Sequence, residues 1–300
     1  MMNKLQELIN EQLGNCPVCN KMNNKTFKIT KWKKIELKYS ICKNCSLVYL
    51  NPRMNDQNTQ DFYEKYYRVL YDGDAIPTQE QINYQLGRAL YFKKVLDPYI
   101  ISINSSDLIL DIGSSAGILL DTFSELKGKN NRIMGIEPGE GYRNHSKAKG
   151  YQVFENIDSV PNQYYNKFKL ITMSHVLEHL ANPVDFLSFV SEKLLSNDGI
   201  MMIEVPNLYG HASFEIAHNL CYTRKTLCDT LSLASLKVIN LHSHANPLTS
   251  MRPMFLNAIV QKSYDQKIPT KYPSWIVKIK YQLGPNKNPK YYKYFNKLIQ

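Results

Sequence analysis

The chain of 300 residues has a formal net charge of +11, and 43% of its residues are hydrophobic and 21% are charged. These fractions are ordinary for a globular protein, so the length predicts one main domain with a small appendage. No run approaches the roughly 18 apolar residues that a membrane-spanning helix needs, and the first residues lack the features of a signal peptide. We therefore expect a cytoplasmic protein rather than a membrane-spanning or secreted one.

The positive charge is concentrated at the two ends of the chain. Residues 1–50 carry +6 and residues 262–300 carry +8, which leaves −3 for the residues between them. Basic ends favour an anionic partner, such as phosphate groups, nucleic acid or a membrane surface. Lysine-rich ends that only aid solubility would give the same pattern, and composition does not decide between these interpretations.

Two pairs of cysteines lie near the start of the chain, with 22 residues between the pairs. Each C-x₂-C pair can present two thiolates to one tetrahedral ion, so the spacing predicts a zinc site. Four thiolates leave no open position for water, so this zinc would be structural. The expected ligands are Cys16, Cys19, Cys42 and Cys45. A redox dithiol in either pair is the alternative.

The residues around these cysteines favour two short strands. Hydrophobic and polar residues alternate over 35–41, and a second apolar run covers 47–50. Residues 1–52 are therefore predicted to form an N-terminal helix and a zinc ribbon, in which the metal supplies most of the folding free energy. The other two cysteines, Cys221 and Cys228, are interpreted as buried thiols.

Residues 53–104 are predicted to be a linker followed by leading helices. Tyrosine is frequent up to about residue 79, and we expect these rings to pack the ribbon against the main domain. Leu86, Leu90, Tyr91 and Val95 recur at helical spacing, which predicts a helix over about 80–98.

Residues 105–262 alternate predicted strands with predicted helices. This order predicts an α/β fold with an open, mostly parallel sheet covered on both faces, and with ligands beyond the carboxyl ends of the strands. The strands are predicted at 107–112, 132–137, 151–154, 168–174, 199–205, 236–243 and 254–261, and the helices at 117–127, 140–149, 183–195 and 224–233.

The first predicted strand leads into the sequence D-I-G-S-S-A-G. Its pattern differs from the dinucleotide fingerprint, and a carboxylate there would repel a phosphate, so it suits a cationic ligand without phosphate. The motif resembles that of class I S-adenosylmethionine-dependent methyltransferases, an acidic residue followed by G-x-G-x-G. Asp111, Gly113, Ser115 and Gly117 stand at those four places. Ser115 replaces the middle glycine, and its hydroxyl can donate a hydrogen bond to the cofactor's carboxylate.

The resemblance covers most of residues 105–243 and implies a Rossmann-like fold with S-adenosylmethionine as the cofactor. Glu137 lies where the family's acidic residue accepts hydrogen bonds from both ribose hydroxyls. The resemblance also places Asn156, within the sequence F-E-N-I-D, near the adenine. Ser174 and His175 follow the fourth strand and are expected beside the cofactor.

The residues after the fourth strand bear on what is methylated. Methyltransferases that act on nucleobase or amide nitrogens commonly carry an (Asn/Asp)-Pro-Pro-(Tyr/Phe) segment, whereas this chain has S-H-V-L-E-H-L-A-N-P. That segment resembles bacterial small-molecule and sugar-modifying methyltransferases. A zinc ribbon before such a domain is similar to enzymes that act on nucleotide-linked sugars and surface glycans.

A segment after the fifth strand resembles one in zinc-containing sugar 3-C-methyltransferases, which carry a Glu-His pair there. His218 and Tyr222 are retained, but Ala217 stands where the glutamate would be. Removal of a carbon-bound proton needs a base, so the missing carboxylate favours O-methylation of a hydroxyl.

The predicted reaction aligns the methyl donor with a hydroxyl acceptor while a base removes the hydroxyl proton. Histidine suits this role because its pKa is near neutrality. The candidates, in order, are His218, His179 and His175, with Tyr222 and Glu178 as orienting groups.

The acceptor is expected to be a sugar-containing or nucleotide-linked small molecule or a glycan precursor, and to be anionic. The alternatives are an RNA-modifying methyltransferase, which the ribbon and basic ends favour, a sugar C-methyltransferase, and a non-catalytic scaffold. Residues 263–300 form a basic, aromatic extension that resembles no family segment. There, Trp275, Ile276 and Ile279 share one side of an amphipathic pattern, which could dock on the main domain, on another subunit or on an anionic membrane.

Overall fold

The computed structural model describes most of the chain, namely residues 2–71, 73–100, 103–127, 132–211, 214–248, 252–263 and 270–284. Much of the predicted extension at 263–300 therefore lies outside the described residues. Within these ranges, no helix is both long enough and apolar enough to cross a membrane.

The predicted ribbon residues build a small antiparallel sheet. This sheet contains the strands β2 (Asn24–Trp32), β3 (Ile35–Cys42) and β4 (Val48–Leu50), while helix α1 (Met2–Leu8) precedes it and strands β1 (Ile9–Glu11) and β5 (Arg53–Met54) form a separate two-stranded sheet. β3 pairs with β2 on one side and β4 on the other, while β5 pairs with β1. The predicted alternation along β3 is confirmed as far as Tyr39, since Ile35, Leu37 and Tyr39 are completely buried and the residues between them are exposed, but it ends at Ser40, which is also buried.

Three helices connect the ribbon to the main sheet. They are α2 (Asp56–Phe62), α3 (Arg68–Tyr71) and α4 (Gln79–Ile100), with a π-helical turn at 63–67 joining the first two. The side chain of Asn55 caps α2 by accepting a hydrogen bond from the Asn58 N–H at 2.8 Å. α4 confirms the helix predicted over 80–98. α2 and α3 were not predicted, because α2 buries only Phe62 and α3 buries none of its residues, so neither shows an apolar periodicity.

A seven-stranded sheet forms the centre of the main domain. Its strands are β6 (Leu108–Ile112), β7 (Ile133–Ile136), β8 (Gln152–Phe154), β9 (Phe168–Ser174), β10 (Leu195–Pro206), β12 (Leu236–His244) and β13 (Phe255–Lys262), and a further strand, β11 (Leu220–Cys221), joins the ribbon sheet. The order across the sheet is β12-β13-β10-β9-β6-β7-β8. β6 to β10 are parallel, and β13 is antiparallel to both of its neighbours. The predicted α/β architecture is confirmed.

Helices cover both faces of this sheet. They include α5 (Ile118–Lys127), α6 (Glu140–Ala148), α7 (Pro183–Phe189) and α8 (Arg224–Leu233). Helix α9 (Ser274–Leu283) packs against the ribbon instead, where Tyr281 contacts the ring of Phe27. A π-helical turn extends α7 to residue 194, and β10 begins directly after it at Leu195 rather than at the predicted residue 199. The earlier start follows from the pairing of Leu195 with Phe168.

A strand from the main domain joins the ribbon sheet. β11, which comes from the segment after β10, pairs with β4 of the ribbon. The Leu50 N–H donates to the Asn219 carbonyl at 2.8 Å, and the Tyr39 hydroxyl donates to the carbonyls of Glu215 and His218. The ribbon therefore holds the backbone on which His218 stands.

Candidate active site

One cavity of about 1030 Å³ opens at the carboxyl ends of β6, β7 and β9. Its floor contains Asp111, Glu137 and Ser174, each at or directly after the end of one of these strands. The opposite wall comes from α4 and from residues 59–71. Ligands of open α/β sheets bind at this edge, so the cavity lies where the strand order predicted a site.

The turn after β6 requires a backbone that few residues adopt. Gly113 has φ +79°, and a Cβ there would lie 2.5 Å from Cγ2 of Val176. Gly117 has φ +74°, and its Cβ would meet the Ser146 hydroxyl at 2.7 Å. Both positions need glycine because of conformation and space. Gly113 lines the cavity, whereas Gly117 packs against α6 and does not appear among the described lining residues.

Ser115 stands in the same left-handed region, with φ +49°. Its N–H donates to Oε2 of Glu137 at 3.0 Å, and its hydroxyl accepts from the Gln85 amide at 3.1 Å. A glycine would adopt this conformation without strain, which explains why the related motif has glycine here. The hydrogen bonds compensate for the strain and join the turn to β7 and α4.

Asp111 is almost completely buried at the end of β6 and lines the cavity. Its carboxylate accepts a hydrogen bond from the Thr172 hydroxyl at 2.6 Å. Burial raises the pKa of Asp111 to about 7, and the nearby charge of Glu137 adds to this effect, while the Thr172 hydrogen bond opposes it. A desolvated carboxylate is stabilised by a positive ligand, which fits the cationic cofactor expected from the sequence.

Glu137 is buried at the end of β7 and accepts hydrogen bonds on both oxygens. Oε2 receives the Ser115 N–H, and Oε1 receives the Gly139 N–H at 2.8 Å and Nη2 of Arg68 at 2.7 Å. The Arg68 guanidinium also lies 3.8 Å above the ring of Tyr142. The carboxylate expected to bind the ribose is therefore fixed in orientation. Arg68 is a partner that sequence reasoning missed, because it lies 69 residues away.

Asn156 lines the cavity beyond β8, where the resemblance places the adenine. Its side-chain oxygen caps the 3₁₀ turn at 157–159 by accepting from the Ser159 N–H at 2.9 Å. This cap fixes the loop that borders this end of the cavity.

A buried ionic cluster lies behind the end of β9. Its centre is Glu204 of β10, which accepts from the Ser174 hydroxyl at 3.2 Å and lies within 3.7 Å of His175, His244 and Arg88. Burial favours the neutral acid, but contacts with His175 and His244 hold the pKa of Glu204 well below its usual value. Sequence reasoning assigned no role to Arg88, Glu204 or His244, which come together only through sheet pairing.

His175 lines the cavity, but both of its ring nitrogens face carboxylates. Nδ1 lies 3.2 Å from Glu178 and Nε2 lies 3.4 Å from Glu204. Burial and the charge of Arg88 act to lower the pKa of His175, and contacts with Glu178 and Glu204 outweigh them, so the pKa is raised. This geometry suits a structural cation better than a group that binds an acceptor.

His179 also lines the cavity and is differently placed. Its Nδ1 lies 2.8 Å from the Ala217 carbonyl oxygen. A carbonyl can only accept a hydrogen bond, so Nδ1 carries the proton and Nε2 keeps a lone pair. The rings of Tyr63 and Tyr67 meet the His179 ring edge-on at 6.0 and 5.9 Å between centroids. These tyrosines come from the segment that sequence reasoning interpreted as packing.

His218 and Tyr222 do not line the cavity in the part of the chain that the structure describes. His218 is buried beneath His179, with 5.0 Å between ring centroids. Tyr222 is completely buried in the hydrophobic core, so the predicted orienting role has no geometric support. His175 and His179 both line the cavity, but the ring nitrogens of His175 face carboxylates, so His179 replaces His218 as the candidate base.

The four ribbon cysteines form a separate cluster. Their sulfur atoms lie within 4.8 Å of one another, with 3.6 Å between Cys16 and Cys45 and 3.5 Å between Cys19 and Cys42. Four sulfurs around a tetrahedral zinc ion with bonds of about 2.3 Å are about 3.8 Å apart. The cluster is therefore compatible with a zinc ion.

Comparisons with known proteins agree with this geometry. The family model described as a methyltransferase domain matches residues 83–243, which is more than half of the chain. No curated protein matches the chain in sequence.

Solved structures similar to the chain include S-adenosylmethionine-dependent methyltransferases from three organisms. The Aquifex aeolicus protein is 14% identical with a TM-score of 0.47, and the match covers 69% of this chain and 98% of that one. The Archaeoglobus fulgidus protein is 18% identical with a TM-score of 0.45, over 62% and 100%. The Clostridium acetobutylicum protein is 13% identical with a TM-score of 0.46, over 66% and 96%.

The match to the family model, the sheet order and the acidic, glycine-containing turn lead to one conclusion: this chain belongs to the class I S-adenosylmethionine-dependent methyltransferases.

Proposed function

We propose that this methyltransferase transfers the methyl group of S-adenosylmethionine to a hydroxyl oxygen of a sugar-containing small molecule. The observation that carries the proposal is that the same cavity is lined by Asp111 and Glu137, the carboxylates expected to bind the cofactor, and by His179 with the neighbouring Tyr63 and Tyr67. Its volume of about 1030 Å³ is at the upper end of ordinary ligand pockets, which leaves room for an acceptor beside the cofactor.

The cofactor would be held by the turn after β6 and by Glu137. The paired oxygens of Glu137 suit the two ribose hydroxyls, and Asp111 supplies a negative charge for the cationic part of the cofactor. Ser115, Asn156 and Ser174 complete the polar lining on this side. When bound, the cofactor supplies an electrophilic methyl group, and the protein's task is to align it with the acceptor oxygen.

The acceptor would bind against the aromatic wall. Four aromatic rings line the cavity, those of Tyr63, Tyr67, Tyr71 and Phe186, and the first two contact His179. Such rings provide flat apolar surface for the carbon–hydrogen face of a sugar. The lone pair on Nε2 of His179 can accept a hydrogen bond from a sugar hydroxyl, which makes that oxygen more nucleophilic.

The choice of oxygen over carbon rests on residue 217. In the related sugar 3-C-methyltransferases a glutamate precedes the histidine, and here this position is Ala217, which is buried. Without that carboxylate, a carbon-bound proton has no matching base, whereas a hydroxyl needs only a hydrogen-bond acceptor.

The lining of the cavity suits the sugar part of an acceptor better than an anionic part. Both arginines that line the cavity are paired, Arg68 with Glu137 and Arg88 with Glu204. A nucleotide-linked sugar or glycan precursor would thus place its phosphates toward the mouth rather than the floor of the cavity. The basic ends of the chain are the other source of positive charge.

We further propose a structural zinc ion at Cys16, Cys19, Cys42 and Cys45. The Asn44 N–H donates to the Cys42 sulfur at 3.3 Å, which stabilises a thiolate there. The Cys42→Ser variant should lose one equivalent of zinc by metal analysis, and Cys221→Ser should lose none. Equal zinc content in the two variants would contradict the assignment.

The experiment that tests the function uses S-adenosylmethionine with a labelled methyl group and panels of nucleotide sugars, glycan precursors and RNA. The expected product carries the label on a sugar oxygen. Label on RNA would favour the RNA-modifying alternative, and a new carbon–carbon bond would favour the sugar C-methyltransferase; either would overturn the proposal.

A further inference from the structure

We propose that Glu178, His179 and His218 bind a divalent transition-metal ion whose open coordination position faces the cavity. Each residue offers one ligand atom, and these atoms lie within 4.8 Å of one another. The metal site follows from the geometry alone. Only the identity of its outermost ligand, the acceptor hydroxyl, rests on the proposed function.

Glu178 is the first argument for an ion. The residue is completely buried, and neither carboxylate oxygen receives a hydrogen bond of normal geometry from the described residues. Nδ1 of His175 lies 3.2 Å from Oε1 of Glu178, but the pair does not have hydrogen-bond geometry. Oε2 has no such neighbour among the described contacts, so nothing there offsets the cost of burying its charge. A buried carboxylate without hydrogen bonds is costly, and coordination of a cation is one of the few arrangements that stabilise it.

The orientation of His179 is the second argument. Its Nδ1–H donates to the Ala217 carbonyl at 2.8 Å, which leaves the lone pair on Nε2. Metal-binding histidines usually donate their other ring N–H to a carbonyl or carboxylate in this way. Nε2 lies 3.9 Å from Glu178 Oε1, which is too long for a hydrogen bond. Two ligands at about 2.0–2.2 Å from one ion lie at most about 4.3 Å apart, so the gap matches an ion between them.

The backbone around the three residues is fixed from two directions. The Asn219 side chain donates to the His179 carbonyl at 2.7 Å, which ties the loop after β9 to the segment that carries His218. The Tyr39 hydroxyl donates to the His218 carbonyl at 3.0 Å from the ribbon side. Ligands on rigid, cross-linked backbone are a requirement for a defined coordination geometry.

The donor set indicates the class of ion. Two imidazoles and one carboxylate suit zinc, iron(II), cobalt or manganese, whereas magnesium and calcium prefer oxygen ligands only. Three protein ligands leave a further position open, as in catalytic rather than structural zinc sites. Of the three ligands only His179 is among the described residues that line the cavity, so the open position would face the cavity on the His179 side. An ion there would polarise the bound hydroxyl in place of the Nε2 lone pair, which would then be coordinated to the ion.

The test is a metal count on the full chain. Zn²⁺ is added in excess, weakly held ions are removed by desalting, and bound zinc is measured by mass spectrometry. We expect two equivalents in the wild type and in Glu192→Gln, a control that replaces an exposed glutamate. Glu178→Gln and His218→Ala should each retain one equivalent, held by the cysteines.

One equivalent in the wild type, or two in Glu178→Gln, would overturn the metal site. The wild-type count remains decisive even if a variant fails to fold.

A second arm separates this inference from the proposed function. If the wild type binds two equivalents but methylates no sugar hydroxyl, the metal site stands and the function fails. If the wild type takes up only one zinc equivalent even from excess Zn²⁺ and still methylates a sugar oxygen, the function stands, His179 alone serves the hydroxyl, and the metal inference fails.

Discussion

The two halves of the cavity are built in different ways. The cofactor half comes mainly from one turn and from the ends of neighbouring strands, so its residues follow short motifs such as D-I-G-S-S-A-G. The acceptor half combines residues from α2, α3 and the π-helical turn between them with residues from the loop after β9. The segment that the ribbon sheet holds supports this half from behind, through the contact of His218 with His179. A local motif is enough to bind a cofactor that the whole family uses. Acceptor recognition depends instead on tertiary contacts, which vary between relatives.

This comparison predicts that the two halves can be disabled separately. The largest effect is expected for His179→Ala, which removes the side chain that serves the acceptor hydroxyl, either directly through Nε2 or through the ion that we propose Nε2 to bind. Loss of a group that assists removal of a proton typically lowers turnover by about 10²–10⁴-fold. Steady-state kinetics should show this loss while calorimetry shows nearly unchanged affinity for S-adenosylmethionine.

His218→Ala and Tyr222→Phe refine the same prediction. His218→Ala is expected to lower turnover as His179→Ala does, because the two rings are adjacent. Tyr222→Phe should change turnover little, because the Tyr222 hydroxyl lies in the core. If Tyr222→Phe impairs turnover as strongly as His179→Ala, the assignment of the acceptor half is wrong.

Glu137→Ala should disable the opposite half. The variant removes the charged acceptor expected for the ribose hydroxyls, so binding of S-adenosylmethionine should weaken by about 1.5–3 kcal/mol, or about 10- to 150-fold. Calorimetry measures this change directly. Because Arg68 also loses its partner, Arg68→Met serves as the control for the ion pair itself. A Glu137→Ala protein with wild-type affinity would exclude Glu137 from the cofactor site.

A smaller effect is expected from pH. The pKa of Asp111 is raised to about 7 in the free protein, so above this pH the carboxylate is already ionised and available to a cation. Below pH 7 the cofactor must displace a proton, and its affinity should fall by up to about tenfold per pH unit. Calorimetry across pH 5.5 to 8.5, a window set about the raised pKa, should show this decline in the wild type.

Asp111→Asn provides the control, because it cannot ionise. Its affinity should be lower than that of the wild type at pH 8 and should lose the Asp111 component of the pH dependence. A variant that retains the full pH dependence would assign the titration to another group.

The smallest effect concerns the departure from the family motif. Ser115→Gly relieves a strained backbone but loses the hydrogen bond with Gln85. These effects oppose each other, so cofactor affinity should stay within about threefold, or about 0.6 kcal/mol. Gly113→Ala is the contrasting variant: its Cβ would lie 2.5 Å from Val176, so it should lose affinity. Equal behaviour of the two variants would contradict this account of the turn.

The sequence predicted the parts of the protein that depend on local patterns. The strands of the central sheet and the glycines with positive φ follow from hydrophobic periodicity and from a contiguous motif. The four cysteines were predicted to lie together because their spacing is typical of a shared metal ion, and the structure brings their sulfur atoms close to one another. In each case a few neighbouring residues contain enough information.

The rest depends on distant contacts. Arg68 reaches Glu137 across 69 residues, and Glu204 meets His244 only because β10, β13 and β12 lie side by side. Tyr222 was predicted to orient an acceptor because it matches a motif, but its backbone bridges to Asn207 after β10 and its ring is completely buried in the core. Helices α2 and α3 were missed because they are short and contain one fully buried residue, Phe62, between them, which is too few for a helical periodicity.

Calorimetric titration of S-adenosylmethionine and of NAD into the wild type and the His179→Ala variant tests the central claim most directly. The account predicts one cofactor site that binds S-adenosylmethionine more tightly than NAD and that is nearly unchanged in His179→Ala. Tighter binding of NAD, or loss of S-adenosylmethionine binding in His179→Ala, would contradict a cavity with separate cofactor and acceptor halves.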